Sequence, residues 1–343
     1  MAGPVVALLA IFTVLPFFLA MAFSLTDQRL VSPNAPQFVG LDNYQQLLGV
    51  GLLTLEPERD AQGVALVDDS AERIYPSIRS FTRGNANYQH LSGMREWFSF
   101  SIGETRVVAL ASDLVFMKAI GNTLIFVLFA APLQSTLALV LALLVNQKLP
   151  GITVFRAIYF MPVVVSIVVV SMLWQFIYAS DNGLLNNMLK WLTFGAFQGV
   201  NWLGNPATAL GSIIGMSIWQ GVGFHMVIWL SGLQTINPVL YEAAAIEGAN
   251  RRQVFRYVTW PGLRNTAILI LIVITMQAFA VFSQVNVMTA GGPLDSTQTI
   301  MFQAVERGFA RQDIASGAAI SVIFFVMVVC VSLIQRHLTR QRT

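Results

Sequence analysis

Hydrolysis of ATP needs a phosphate-binding loop that ends Gly-Lys-Ser/Thr. Lys118, Lys148 and Lys190 are the only lysines, and Ala, Leu and Trp follow them, so that loop is absent. A single cysteine, Cys330, excludes an intrachain disulfide and a cysteine-based zinc site. His90, His225 and His337 lie far apart without ligand spacing, and no nucleophile–base cluster stands out, so the chain is read as no enzyme. What remains is binding by amides and hydroxyls. Ser217, Gln220, Gly221 and Phe224 follow i, i+3, i+4, i+7 spacing, and Gln277, Val281 and Gln284 follow i, i+4, i+7. Such spacing puts each set on one helix face. Amides beside an aromatic ring suit a neutral polyhydroxyl ligand. The same glutamines could instead bridge helices, as polar side chains often do in lipid.

The elements that would hold these residues are membrane spans. The 343 residues are 55% hydrophobic and 11% charged, against about 25% charged in soluble domains. Mean hydropathy is +0.66. Six stretches are long and apolar enough to cross a bilayer as helices: 3–25, 119–145, 157–178, 207–232, 267–287 and 314–334. None contains Asp, Glu, Lys or Arg. The fold class expected is therefore an all-α membrane protein with about six transmembrane helices. For the first stretch, a cleaved leader would use Ala20-Met21-Ala22. No basic residue precedes it and the run is longer than a usual signal core, which favours a retained helix over 1–25. A pI near 9.2 follows from basic loops beside apolar spans, and no nucleic-acid partner is expected.

Basic residues in the short connections set the orientation. Lys148, Arg156, Arg251, Arg252, Arg256, Arg264, Arg336, Arg340 and Arg342 lie on one side, against Lys190, Arg307 and Arg311 on the other. That asymmetry puts the loop 235–262 and the tail 337–343 in the cytoplasm. The segment 26–118 is then external. It holds eleven acidic residues and seven arginines, and is either a docking lobe for an external partner or a solvated insertion. The stretch 184–202 mixes Trp191 and Trp202 with Asn186, Asn187 and Lys190 and reads as an interfacial helix. Pro132 and Pro162 fall inside the second and third spans, where proline favours a kink.

The loop between the fourth and fifth spans has its own plan. Asn237 is an N-cap with Pro238 in the first helical position. Gly248 can take the left-handed conformation that stops a helix. Asn250 can cap a second short helix, which Pro261 would end. Tyr241, Ala244 and Phe255 give this helix–turn–helix something to pack with. It would serve as a rigid knob for another protein, or as a connector lying on the membrane surface.

This loop resembles the signature of the permeases of bacterial ABC importers. Glu242-Ala243-Ala244, then Gly248, Val258 and Pro261 match its spacing, while Trp260 stands where leucine is usual. Phe38-Val-Gly-Leu-Asp-Asn-Tyr44, Thr289-Ala-Gly-Gly-Pro293, Thr297 and Gly308-Phe309 resemble the carbohydrate-type members, related to the larger membrane subunit of the maltose transporter. The resemblance covers 1–48 and 116–336, with 49–115 as an insertion. It implies the ABC importer permease fold, with a five-helix core over 119–336. Tyr241, Glu242, Ala243, Ala244, Gly248 and Pro261 would form the coupling region, with Glu242 and Gly248 central. The implied partners are a second permease subunit, two ATPase subunits that bind the ATP and Mg, an external solute-binding protein, membrane lipid and a sugar. The chain itself holds no cofactor on this reading. The implied location is the bacterial inner membrane, multi-pass. By the same likeness, the fourth and fifth spans line the sugar site and the insertion meets the binding protein. A permease for glycerol phosphate or polyols is the alternative. An ion-coupled carrier is disfavoured, because His225 is the only ionisable residue near mid-span.

Overall fold

The structure, a computed structural model, describes residues 3–60, 62, 64–67, 73–147 and 150–339. Lys148, Arg340 and Arg342, counted in the charge asymmetry, lie outside the described residues, as does the end of the expected tail. Among the described residues five helices are long and apolar enough to cross a membrane, or six if one bent pair counts as a single span. Gly3–Leu9, a π-turn at Ala10–Val14 and Leu15–Ser24 run on as one helix, α1. The others are α2 (Leu114–Val145), the bent pair α3 (Ile152–Val164) and α4 (Ile167–Ile177), α5 (Pro206–Gln234), α6 (Arg251–Phe279) and α7 (Ile314–Thr339).

Several boundaries differ from the sequence expectation, each for a local reason. Helix α2 starts at Leu114 rather than 119 because Asp113 caps it, with Oδ1 accepting from the Phe116 amide at 2.9 Å. It runs on through Pro132. The third span does break, but after Val164 rather than at Pro162, and its halves meet at 99°. At 1.5 Å per residue α3 is about 20 Å long and α4 about 17 Å, so neither alone crosses ~30 Å of hydrocarbon. Helix α6 begins at Arg251 and ends at Phe279, well short of 287. A separate helix, Ser283–Met288, follows.

The chain divides into two compact units, 1–120 with 303–323 and 121–302 with 324–343. The helical membrane fold stands as expected, and the first unit adds one small sheet within the insertion. Strands β1 (Val50–Leu55), β2 (Arg95–Ile102) and β3 (Thr105–Ala111) form an antiparallel sheet in the order β1-β3-β2. Residues of β1 alternate between exposed and buried, the period of a half-buried strand. Strands β2 and β3 meet at a two-residue turn in which Gly103 takes φ +64, a conformation that suits glycine. Leu53, Leu55, Val108 and Leu110 bury one face against Leu91 with Phe81 and Tyr88 beside it. Burying each such side chain contributes about 1.5–3 kcal/mol. The insertion is closed at its neck by the Ser112 amide donating to the Gly49 carbonyl at 2.9 Å. Asp113 then pairs with Arg307, both side chains mostly shielded from solvent.

In the second unit α5 is central, with 61% of its most apolar stretch buried. Small residues let neighbouring helices approach it closely. A Cβ at Gly223 would run into the Tyr159 carbonyl of α3, and one at Gly232 into the Thr266 side chain of α6. The Trp229 indole donates to the Ser135 carbonyl of α2 at 3.1 Å. Leu184–Leu192 is helical as expected, shorter than 184–202. Asn186 fixes the rest of that connection. It donates to the Ala179, Ser180 and Val200 carbonyls and accepts from the Trp202 indole at 2.8 Å.

Candidate functional site

The helix–turn–helix after α5 is set by local chemistry. The Asn237 side chain accepts from the Val239 amide at 3.0 Å, and Pro238 opens a helix that runs to Ile246. Gly248 takes φ +70. The Ala249 amide reaches the Ala244 carbonyl at 2.9 Å and the Gly248 amide reaches Ala245 at 3.1 Å. Those two bonds are the 6→1 and 5→2 pair of a Schellman cap. Asn250 and Gln253 form a reciprocal capping box at 3.0 and 2.7 Å. The turn is thus held from both sides.

Pro261 does not end the second arm. A π-turn over Phe255–Thr259 leads directly into Trp260–Phe279. An interior proline lacks its donor and crowds the carbonyl four residues back. The wider i→i+5 turn just before it relieves that conflict. The arm is therefore the continuous start of α6.

The knob has two faces. Tyr241 and Ala244 point inward, and the Tyr241 hydroxyl lies 3.2 Å from that of Thr259. Glu242, Ala243, Val239, Leu240 and Ile246 point outward, Ile246 being 88% exposed. Phe255, expected inside the knob, is instead exposed and sits against Trp260. An outward face of one carboxylate among aliphatics is suited to a socket, with charge for register and apolar area for affinity.

The expected binding faces survive only in part. On α5, Gln220 is half-buried and Phe224 is partly exposed, edge-on to His225. Ser217 Oγ is buried without a partner among the described residues. Gly221 is no ligand surface, because a Cβ there would strike the Gln134 amide of α2. On the fifth span the face itself is lost. Gln277 is exposed on α6, but the helix ends at Phe279. Val281 lies in the break, is 2% exposed within the apolar core, and its carbonyl accepts from Thr299 Oγ1 at 2.9 Å. Gln284 belongs to the next helix, half-buried. The amides of Gln220 and Gln277 have no partner among the described residues.

Two polar contacts went unread in the sequence, although His225 itself is singled out there. Gln134 and His225 meet in the core, Nε2 to Nδ1 at 3.0 Å, and the Gly221 carbonyl lies 2.9 Å from the same nitrogen. The only signal was a glutamine inside the apolar run of α2. Gln175 of α4 donates to the Val287 carbonyl at 2.7 Å, tying the bent span to Ser283–Met288. Among the described residues no His, Cys, Asp and Glu group could hold a metal.

Residues 117–343 match the model of a family described as binding-protein-dependent transport system inner membrane component. The lactose transport system permease protein LacF of Rhizobium radiobacter is 32% identical over 287 residues, 82% of this chain and 93% of its own. The trehalose/maltose transport system permease protein MalF of Thermococcus litoralis is 34% identical over 220 residues, 64% of this chain and 73% of its own. Among solved structures, a bacterial ABC transporter involved in the import of the acidic polysaccharide alginate aligns with TM-score 0.61 at 24% identity, over 67% of this chain and 81% of that one. At that identity the likeness concerns the fold, which is that of an ABC importer permease.

Proposed function

The chain belongs to the binding-protein-dependent transport system inner membrane components, multi-pass proteins of the inner membrane, and from that premise we propose that it is one permease subunit of an ATP-driven sugar importer. A second permease completes the path. An external solute-binding protein delivers the cargo, and two ATPase subunits bind ATP and Mg and grip the cytoplasmic loops. The observation that carries the reading is the doubly capped turn at Gly248, which holds Glu242 and its aliphatic neighbours outward on an arm continuous with α6. Closure of the ATPases would draw this arm inward, and α6 would move with it.

A neutral sugar is favoured over a phosphate ester by the uncharged spans and by the unpartnered amides of Gln220 and Gln277. The names of the lactose and trehalose/maltose relatives support the same cargo class. Ser217, Phe224 and Gln284 complete the candidate set. Segment 26–118 is external on this reading and its insertion 49–115 meets the binding protein, while the arm over 235–262 and the tail from 337 face the cytoplasm.

The test uses Ile246→Cys in a Cys330→Ser background, co-expressed with its own ATPase subunit. Cross-linking to that subunit and protection from a membrane-impermeant thiol reagent applied outside are the expected results. Labelling from outside, or no cross-link in any nucleotide state, would refute the reading.

A further inference from the structure

Beside the sheet of the insertion lies a cavity of about 650 Å³ lined by Arg79, Arg83 and Arg95 with Ser77, Thr82 and Glu96. Arg79 and Arg83 are one helical turn apart around the short helix Arg79–Thr82, and Arg95 opens β2. The other arginines of this region behave differently. Arg59 and Arg73 pair with Glu104, and Arg106 pairs with Glu96 at 3.0 Å. The one carboxylate in the cavity wall is therefore taken, and among the described residues none pairs with Arg79, Arg83 or Arg95. Three guanidiniums around one concavity call for an anion with several oxygens. A phosphate offers the geometry that planar forks bind best.

Register places this cavity at one end of the lobe. Arg95 pairs with Ala111, and α2 starts at Leu114. Two residues, Ser112 in a bend and Asp113, separate that row from the spanning helix, so the gap is at most about 10 Å. The same row carries Val50, which also pairs with Ala111, and two rows along, on the same face, lie Leu52, Ala109 and Phe98. Leu52 is 69% exposed, and Phe98 stacks on Phe100 along the open face. An apolar, aromatic face beginning beside Arg95, which pairs with no carboxylate among the described residues, has the composition of a headgroup-level contact, with rings and aliphatics at the acyl boundary and guanidiniums at the phosphates.

The geometry points to a phospholipid phosphate site formed by Arg79, Arg83 and Arg95, which seats the insertion on the outer surface of the bilayer. The inference rests on α2 being a span and not on the cargo or on any protein partner. Seating the lobe would limit its swing and so present its other surfaces in a fixed attitude.

The test measures lipid retention on the purified full chain, released from nanodiscs containing equal phosphatidylglycerol and phosphatidylcholine and weighed by native mass spectrometry. Wild type should retain phosphatidylglycerol preferentially. A basic residue near an anionic surface is worth roughly fivefold, so the Arg79→Gln, Arg83→Gln, Arg95→Gln triple variant should lose at least about tenfold of that preference. The corresponding triple lysine variant should fall between the two, keeping the share due to charge and losing that due to the planar forks, which separates both from a folding defect. Unchanged preference in the glutamine variant would overturn the proposal. So would displacement of the lipid by millimolar inorganic phosphate, which would make this a site for the free ion, or shielding of the arginines by a soluble protein instead of by lipid. Uptake is not part of the readout, so failure here leaves the permease reading untouched.

Discussion

A single backbone angle, φ +70 at Gly248, lets the coupling arm be tested without touching its surface. A Cβ added there meets nothing within 4 Å, so substitution adds strain and no clash inside the chain. An ordinary L-residue held in the left-handed region costs roughly 1–2 kcal/mol. Asparagine tolerates it better, and a β-branched residue tolerates it worst. That cost lowers the population of the native turn by a factor of roughly 5–30 relative to its alternatives. The apparent affinity for a partner that needs the native turn falls by no more than the same factor. The assay is binding of the cognate ATPase subunit to the solubilised chain, read beside coupled uptake in proteoliposomes. The expected order of loss is Asn, then Ala, then Val in place of Gly248. Thermal stability should hardly change, because the position is exposed and outside the core. Wild-type binding and uptake in Gly248→Val would refute the reasoning. Equal losses in Gly248→Asn and Gly248→Val would refute the strain argument in another way, by showing that the partner excludes any side chain there.

Gly223→Val should destabilise the fold by at least about 1–3 kcal/mol, since its Cβ meets the Tyr159 backbone, which no rotamer change can clear. A wild-type melting curve in detergent would contradict that packing. Asp113 and Arg307 are only 20% and 13% exposed, so a double-mutant cycle of Asp113→Asn with Arg307→Gln should return a coupling of about 0.5–3 kcal/mol. Asparagine keeps the N-cap of α2, and a coupling near zero would mean the pair is incidental. Gln134→Leu should lower stability, because it removes a buried amide from His225 Nδ1 and leaves that nitrogen the Gly221 carbonyl alone. Gln220→Leu and Gln277→Leu should leave stability intact and raise the transport KM roughly tenfold each, the worth of a hydrogen bond. The reverse pattern would make those two amides structural.

What could be read from sequence was whatever is decided within four residues. Asn237-Pro238, Gly248 and the Asn250–Gln253 box each satisfy their backbone partners locally, and each forms as its residue types dictate. The sheet was also locally signalled, by alternation in β1 and by a Gly-led two-residue turn between β2 and β3, though composition alone had marked that segment only as polar. The fifth span was misplaced because nothing near Phe279 announces an end. No glycine or proline stands there, and the carbonyl freed at Val281 is taken by Thr299, eighteen positions on. Pro261 misled for the opposite reason, since a recognised breaker is absorbed by a π-turn that no local rule foresees.

Those misreadings share a physical cause that bears on where a path could run. In hydrocarbon each open backbone group costs several kcal/mol, so a spanning helix breaks only where protein or water can take its freed groups. The break after Phe279 is of this kind. It is answered by Thr299, and Gln175 on the helix after the Val164 break answers the carbonyl of Val287 beyond it. The bent span and Ser283–Met288 are thereby joined through the Gln175 amide. Val281, enclosed on that seam, cannot meet a solute, whereas Gln277, just before the break and exposed, can. The candidate surface therefore moves from the helical face 277–281–284 to Gln277 on the last turn of α6. A cysteine at Gln277 should react with a small hydrophilic thiol reagent and one at Val281 should not; equal reactivity would dissolve the distinction.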